Sequence, residues 1–107
     1  MGAAITVVGS VNLDFVATAK TLPAPGETVT GATLARHPGG KGANQALAAT
    51  RLGADVSLIA CVGRDALADE PLALLKAEGV NLSRCLIDAK ASTGVALIAV
   101  DAKGENQ

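Results

Sequence analysis

A short run near the amino terminus limits the choice of fold more than any other feature. Ala4 to Gly9 (AITVVG) is continuously apolar or β-branched and ends on glycine, the pattern of a strand buried on both faces in a parallel sheet. The pattern then changes at once, with Ser10, Asn12 and Asp14 alternating with Val11, Leu13 and Phe15. Alternation puts the polar side chains on one face of an extended segment. That segment lies just beyond the carboxyl end of the first strand, where open α/β sheets bind their ligands.

The rest of the chain reads as further pieces of an α/β unit. Leu22 to Glu27 holds two prolines and a glycine and is a turn, after which Thr28 to Arg36 returns to strand-forming residues. Segments 11–19 and 28–36 are therefore expected to pair antiparallel as a flap rising out of the main sheet, with 84–88 a further candidate strand of it. Pro38-Gly39-Gly40-Lys41-Gly42 is expected to break regular structure before a helix over Ala43 to Leu52, closed by Gly53. Asp55 to Cys61 predicts a second buried strand, closed by Gly63. A second helix follows to about Glu78, capped by Asp65 or Asp69, with Pro71 in its first turn and Gly79 just past its end. Thr93 to Val100 reads as a strand, and Asp101 to Gly104 has a hairpin-turn composition. With no returning strand after that turn, the sequence reads as interrupted. No internal repeat or low-complexity segment divides it, so residues 1–107 form one unit, although an incomplete one.

Composition narrows the function classes. Half of the 107 residues are hydrophobic, yet there is one Phe and no Tyr or Trp. The core must then be built from Ala, Val, Leu and Ile, which suits helices lying close to a sheet. The same lack argues against stacking on single-stranded nucleic acid. Nine Lys and Arg against ten Asp and Glu give a net charge of -1 with no basic stripe, so neither nucleic acid nor an anionic membrane is an expected partner. Cys61 and Cys85 lack CxxC spacing and have only His37 for company, too few ligands for a zinc site. Both are expected to be reduced thiols, with Cys61 a buried small hydrophobe. No basic leader precedes the first apolar stretch, and no apolar run approaches the ~20 residues that span a bilayer, so a soluble cytoplasmic protein is expected.

Two clusters carry candidate chemistry. Gly39-Gly40-Lys41-Gly42-Ala43-Asn44-Gln45 is not a nucleotide-phosphate loop, because that motif needs Ser or Thr after its Lys and Lys41 is followed by Gly42. Consecutive glycines do let a backbone approach a small polar ligand, to which Lys41 and Asn44 can donate; a tight turn feeding a helix explains them equally well. Asn12 and Asp14 set an amide and a carboxylate on one face, suited to vicinal hydroxyls. Taken alone, they also fit solvated turn residues.

In order and spacing, several motifs together resemble the opening third of the ribokinase-like (PfkB) carbohydrate kinase family. They are Gly9-Ser10-Val11-Asn12-Leu13-Asp14, Pro25-Gly26-Glu27-Thr28, Gly39 to Ala46, Arg51-Leu52-Gly53-Ala54, Val62-Gly63 and Ser92-Thr93-Gly94-Val95-Ala96. One departure is Ala68, where the family pattern leads to a glycine.

The resemblance implies the N-terminal part of a doubly wound α/β fold with a small β-sheet lid, which in dimers pairs with the partner's lid. For the complete enzyme it implies transfer of the γ-phosphoryl group of ATP to the 5-hydroxyl of D-ribose, with Mg2+ and a monovalent cation (K+). Carried over, Asn12 and Asp14 hold ribose hydroxyls and Gly39, Gly40, Lys41 and Asn44 line the other side of the sugar, Lys41 also offsetting charge near the phosphoryl group. The family's catalytic Asp, its adenine-binding loops and its cation ligands have no counterpart among these residues. This chain by itself is therefore expected to be inactive. The alternatives are a stand-alone sugar-binding or lid-dimerisation fragment, and a kinase for a related sugar or nucleoside.

Overall fold

The computed structural model describes residues 2–107. Strand β1 (Ala4–Val8) pairs in parallel with β4 (Asp55–Ile59), Ala4 opposite Asp55 and Val8 opposite Ile59. Between them the chain makes two flap strands, β2 (Asn12–Thr18) and β3 (Thr33–Gly39), and then helix α1 (Lys41–Arg51). After β4 a break at Ala60 starts β5 (Cys61–Gly63), which pairs in parallel with β6 (Leu86–Asp88). Leu86 donates its amide to Ala60 O and Asn81 bridges Ser57, so the two parallel pairs run as one layer. A 3-10 turn (Ala66–Ala68) and helix α2 (Asp69–Ala77) separate β5 from β6. No helix among the described residues is long and apolar enough to cross a membrane.

The core lies between this layer and the helices. Val56 and Leu58 of β4, Val62 of β5, Ala43 and Ala46 of α1 and Leu75 of α2 are all buried, and alanines on α1 let it sit close to the strands. β1 was expected to be buried on both faces but is covered on one only: Val7 packs against the core, while Val8 is 75% exposed. Helix α1 ends in paired bonds, Gly53 N–H to Thr50 O and Ala54 N–H to Ala49 O, with Gly53 at φ 97°. That left-handed residue is what the closing glycine supplies, and α2 ends the same way at Gly79.

The flap sheet has the order β3-β2-β7, where β7 is Gly94–Val100. β2 is antiparallel to β3 and parallel to β7. The expected 28–36 strand begins later, at Thr33, because Gly31 at φ 80° interrupts the extended run. It also continues through Pro38 to Gly39; β3 is an edge strand, where a proline removes no ladder bond on the open side. Segment 84–88 is a correction: its strand joins β5 in the parallel layer, and β7 takes the third place in the flap. The Asp101 turn closes as read, with Asp101 Oδ1 accepting the amides of Lys103 and Glu105, but the expectation of no return after it is corrected: Asn106 bridges Val100 and Gln107 pairs back on Ala99.

Two smaller expectations are corrected. Neither Asp65 nor Asp69 caps α2 through its side chain, since the preceding 3-10 turn leads into the helix through Ala68. Ala68 itself is buried in αR conformation, so the residue that departs from the family pattern is accommodated without strain. Cys61 is exposed, because Ala60 and Val62 on either side of it turn inward and alternation sends it outward. Cys85 is half-buried, and burial pushes its thiol pKa up.

Candidate functional site

The two clusters singled out in the sequence meet at one end of the flap. Asn12 lies opposite Gly39 in the β2–β3 ladder and opposite Gly94 in the β2–β7 ladder. Asn12 and Asp14 share a face of β2, as alternation requires, and both are half-buried. The Asp14 carboxylate stands over Gly39: a Cβ there would lie 2.5 Å from Oδ2 and 2.7 Å from Oδ1. The Asn12 carboxamide stands over Gly94 in the same way, with Oδ1 2.5 Å from a Cβ built on that residue. Each polar side chain thus occupies space that a flanking glycine leaves empty. Among the described residues neither side chain has a hydrogen-bond partner, so their acceptors and donors remain open to a ligand.

The start of α1 closes on the same place. Gly40 takes φ 100° as the N-cap, with its Cα side against Ser10 O and Asn12 N, where a Cβ would come within 2.5 Å and 3.0 Å. Gly42 packs on Gly9 with 2.6 Å between its virtual Cβ and Gly9 Cα, and Ala43 donates its amide to Ser10 O at 3.0 Å. These backbone contacts tie the end of β1 to the helix start, whose Lys41 and Gly42 amides have no intrahelical acceptor. Lys41 and Asn44 project from this first turn and are exposed, without a hydrogen bond to Asn12 or Asp14. Asn12, Asp14, Gly39 and Gly40 are therefore brought into contact, with Lys41 and Asn44 at the margin.

Three neighbours escaped sequence reasoning. Gly94 and Ala96 flank Asn12 and Asp14 from β7, and Thr93, just before them, is bound by Asp65. Asp65 Oδ2 accepts the Thr93 amide at 2.9 Å and Oδ1 its hydroxyl at 2.7 Å. These bonds, the amide first, hold the Asp65 carboxyl below its usual range. The Ser92-Thr93-Gly94 motif was visible, but nothing local showed that it would lie beside Asn12.

The opposite face of the flap is apolar. Phe15, Ala17, Leu34, Leu97 and Ala99 line a hollow of about 340 Å3 there, and Leu34 and Leu97 are 68% and 78% exposed. No three His, Cys, Asp or Glu side chains among the described residues converge to hold a metal ion. No step is assigned to a metal ion.

An α/β layer bearing a β flap, with an amide and a carboxylate facing a glycine-lined helix start, defines a class that the sequence comparison names. Residues 3–107 match the pfkB family of carbohydrate kinases, and the chain belongs to that family. Within it, the chain is 46% identical to ribokinase of Schizosaccharomyces pombe over 96% of its own length and 34% of that protein's. The structure of a Cryptococcus neoformans ribokinase in complex with ADP superposes with a TM-score of 0.84 at 36% identity, covering 99% of this chain and 33% of that one. Arabidopsis thaliana ribokinase complexed with ribose and ATP superposes at 0.87 with 32% identity, covering all of this chain and 35% of that one. The chain spans about a third of the length of the curated relatives it matches.

Proposed function

We propose that this chain is the sugar-binding side of a ribokinase, an ATP-dependent kinase that phosphorylates D-ribose to ribose 5-phosphate. The observation that carries the reading is the pairing of two unpartnered polar side chains, Asn12 and Asp14, with glycines that make room for them. A carboxylate accepts from two hydroxyls at once, and a site built this way rejects an analogue that lacks one. Gly40, Lys41 and Asn44 complete the far side of the sugar, with the Lys41 ammonium offsetting charge near the transferred phosphoryl group.

Phosphoryl transfer is positioning plus electrostatics, so sugar, donor and base must be held together. ATP as donor follows from the likeness to ribokinases; the adenine site and catalytic base belong to family segments that this chain does not match. The intact protein with Asp14→Ala is expected to lose ribose affinity and turnover, measured by calorimetry and initial rates over a panel of ribose, fructose and a nucleoside. Unchanged ribose kinetics would overturn the assignment, and a preference for another member of the panel would move it to that substrate.

The apolar face of the flap favours a second copy of the chain as its partner. Its exposed Leu34 and Leu97 and its hollow are what a homodimer through the flap strands would cover.

A further inference from the structure

Three crossings join the flap to the parallel layer. Two are backbone contacts, Gly9 with Gly42 and Gly40 with Ser10. The third, from β6 into β7, is held by side chains. Asp88 Oδ1 accepts the amides of Lys90 at 2.7 Å and Ala91 at 3.1 Å, turning the chain. Asp65 then takes both donors of Thr93, whose hydroxyl oxygen in turn accepts the Gly63 amide at 2.9 Å. Thr93 is 2% exposed, so water does not compete strongly for these bonds. Gly63 leaves the room for this arrangement: a Cβ on it would come within 2.6 Å of Asp65 Oδ2 and 2.5 Å of Thr93 N. The next residue, Gly94, is the surface on which the Asn12 carboxamide rests. A slide or rotation at Thr93 therefore moves the seat of Asn12.

We propose that the Asp65–Thr93 pair is a positioning device for the sugar face: it fixes the foot of β7 and, through Gly94, the placement of Asn12, setting sugar affinity without touching the sugar. This rests on the sugar-binding reading of Asn12 and Asp14. A carboxylate suits the task because its two oxygens accept two donors of one residue and so remove both sliding and twisting. An amide in its place keeps one acceptor oxygen and strands the second donor; a valine in place of Thr93 strands the Gly63 amide.

The test compares Thr93→Val, Asp65→Asn and Thr93→Ser in the intact protein, with ribose Kd, KM, kcat and melting temperature read for each. Thr93→Val and Asp65→Asn are expected to raise Kd and KM for ribose roughly 10-fold, the order expected for a slight misplacement of a binding group, with kcat and KM for ATP changed less than about twofold. Thr93→Ser keeps the hydroxyl and is expected to bind within about twofold of the parent. A lowered melting temperature in both impaired variants with an unchanged ribose KM overturns the proposal, leaving a structural staple. Asp14→Ala separates the two readings. If it binds ribose normally, the sugar site itself is lost and the proposal with it; if it alone loses ribose, only the positioning role is refuted. Should Thr93→Val fail to fold, Asp65→Asn carries the same comparison.

Discussion

Gly39→Ala should damage sugar binding while leaving the fold intact. Gly39 is in ordinary strand conformation, since it is not among the glycines with positive φ, so alanine fits the backbone there. Its Cβ would nevertheless sit 2.5 Å from Asp14 Oδ2, and ordinary contact begins at 3.4 Å. The carboxylate must retreat by about 0.9 Å, enough to carry an oxygen out of hydrogen-bond range of a hydroxyl placed at ~2.7 Å. Losing one hydrogen bond to a charged group removes about 1.5–3 kcal/mol, roughly a 10- to 100-fold loss of affinity. Stability should hold, because the group that moves is the free end of a side chain and Gly→Ala at a compatible site even stabilises by about 0.4–1 kcal/mol. Gly42→Ala is the contrast: its Cβ meets Gly9 backbone atoms at 2.6 Å, which cannot step aside, so it should destabilise by about 1–3 kcal/mol. Ribose calorimetry and urea unfolding on both variants give the comparison. A folded Gly39→Ala protein that binds ribose within about twofold of the parent would refute the assignment of Asp14 as a ligand of the sugar.

Three other outcomes follow from the same geometry. The Asp65 and Asp88 carboxyls are held below their usual range by backbone amides, so their stabilisation is complete above the unfolded carboxylate value of ~3.9 and disappears as pH falls through the lower folded values; urea midpoints should drop below about pH 4, and more shallowly in Asp65→Asn. Cys61 is exposed and Cys85 half-buried with a raised pKa, so a thiol-reactive dye under native conditions should label Cys61 first, and equal rates would contradict the observed facing of β5. For the proposed flap homodimer, Leu97→Asp on the apolar face should leave a monomer in sedimentation whose melting temperature no longer rises with protein concentration, and a variant that sediments like the parent would refute the dimer.

What could be read from the residues was local. The β1 run, the Asn12 and Asp14 alternation, the Ala-rich helix and the glycine after each helix depend on neighbours within a few positions, and the structure carries them. The antiparallel pairing of β2 with β3 was legible because one turn joins them. The partner of 84–88 was not, since a three-residue strand has no pattern that distinguishes the flap from the layer; the structure pairs it with β5, beside a bond from the Leu86 amide to Ala60 O. Cys61 was misjudged because the apolar run from Asp55 was read as buried on both faces, whereas Val56, Leu58, Ala60 and Val62 point inward on one phase and Cys61 falls on the other. At the site, Asn12, Asp14 and Gly39 were legible together. Gly94, Thr93 and Asp65 were not, because their role arises from a pairing between distant segments.

That distant pairing has a consequence for how the molecule is assembled. Asn12 and Gly94 are separated by about 80 residues of chain, and parallel contacts between such remote segments are slow to form because a long loop must close first. During synthesis the helices and the β1–β4 pair can condense while the strand carrying Asn12 and Asp14 still lacks one neighbour. The face bearing Asn12 and Asp14 is therefore finished late, and until β7 arrives one side of that strand stays open to competing partners, the interval in which a newly made copy most needs protection from aggregation.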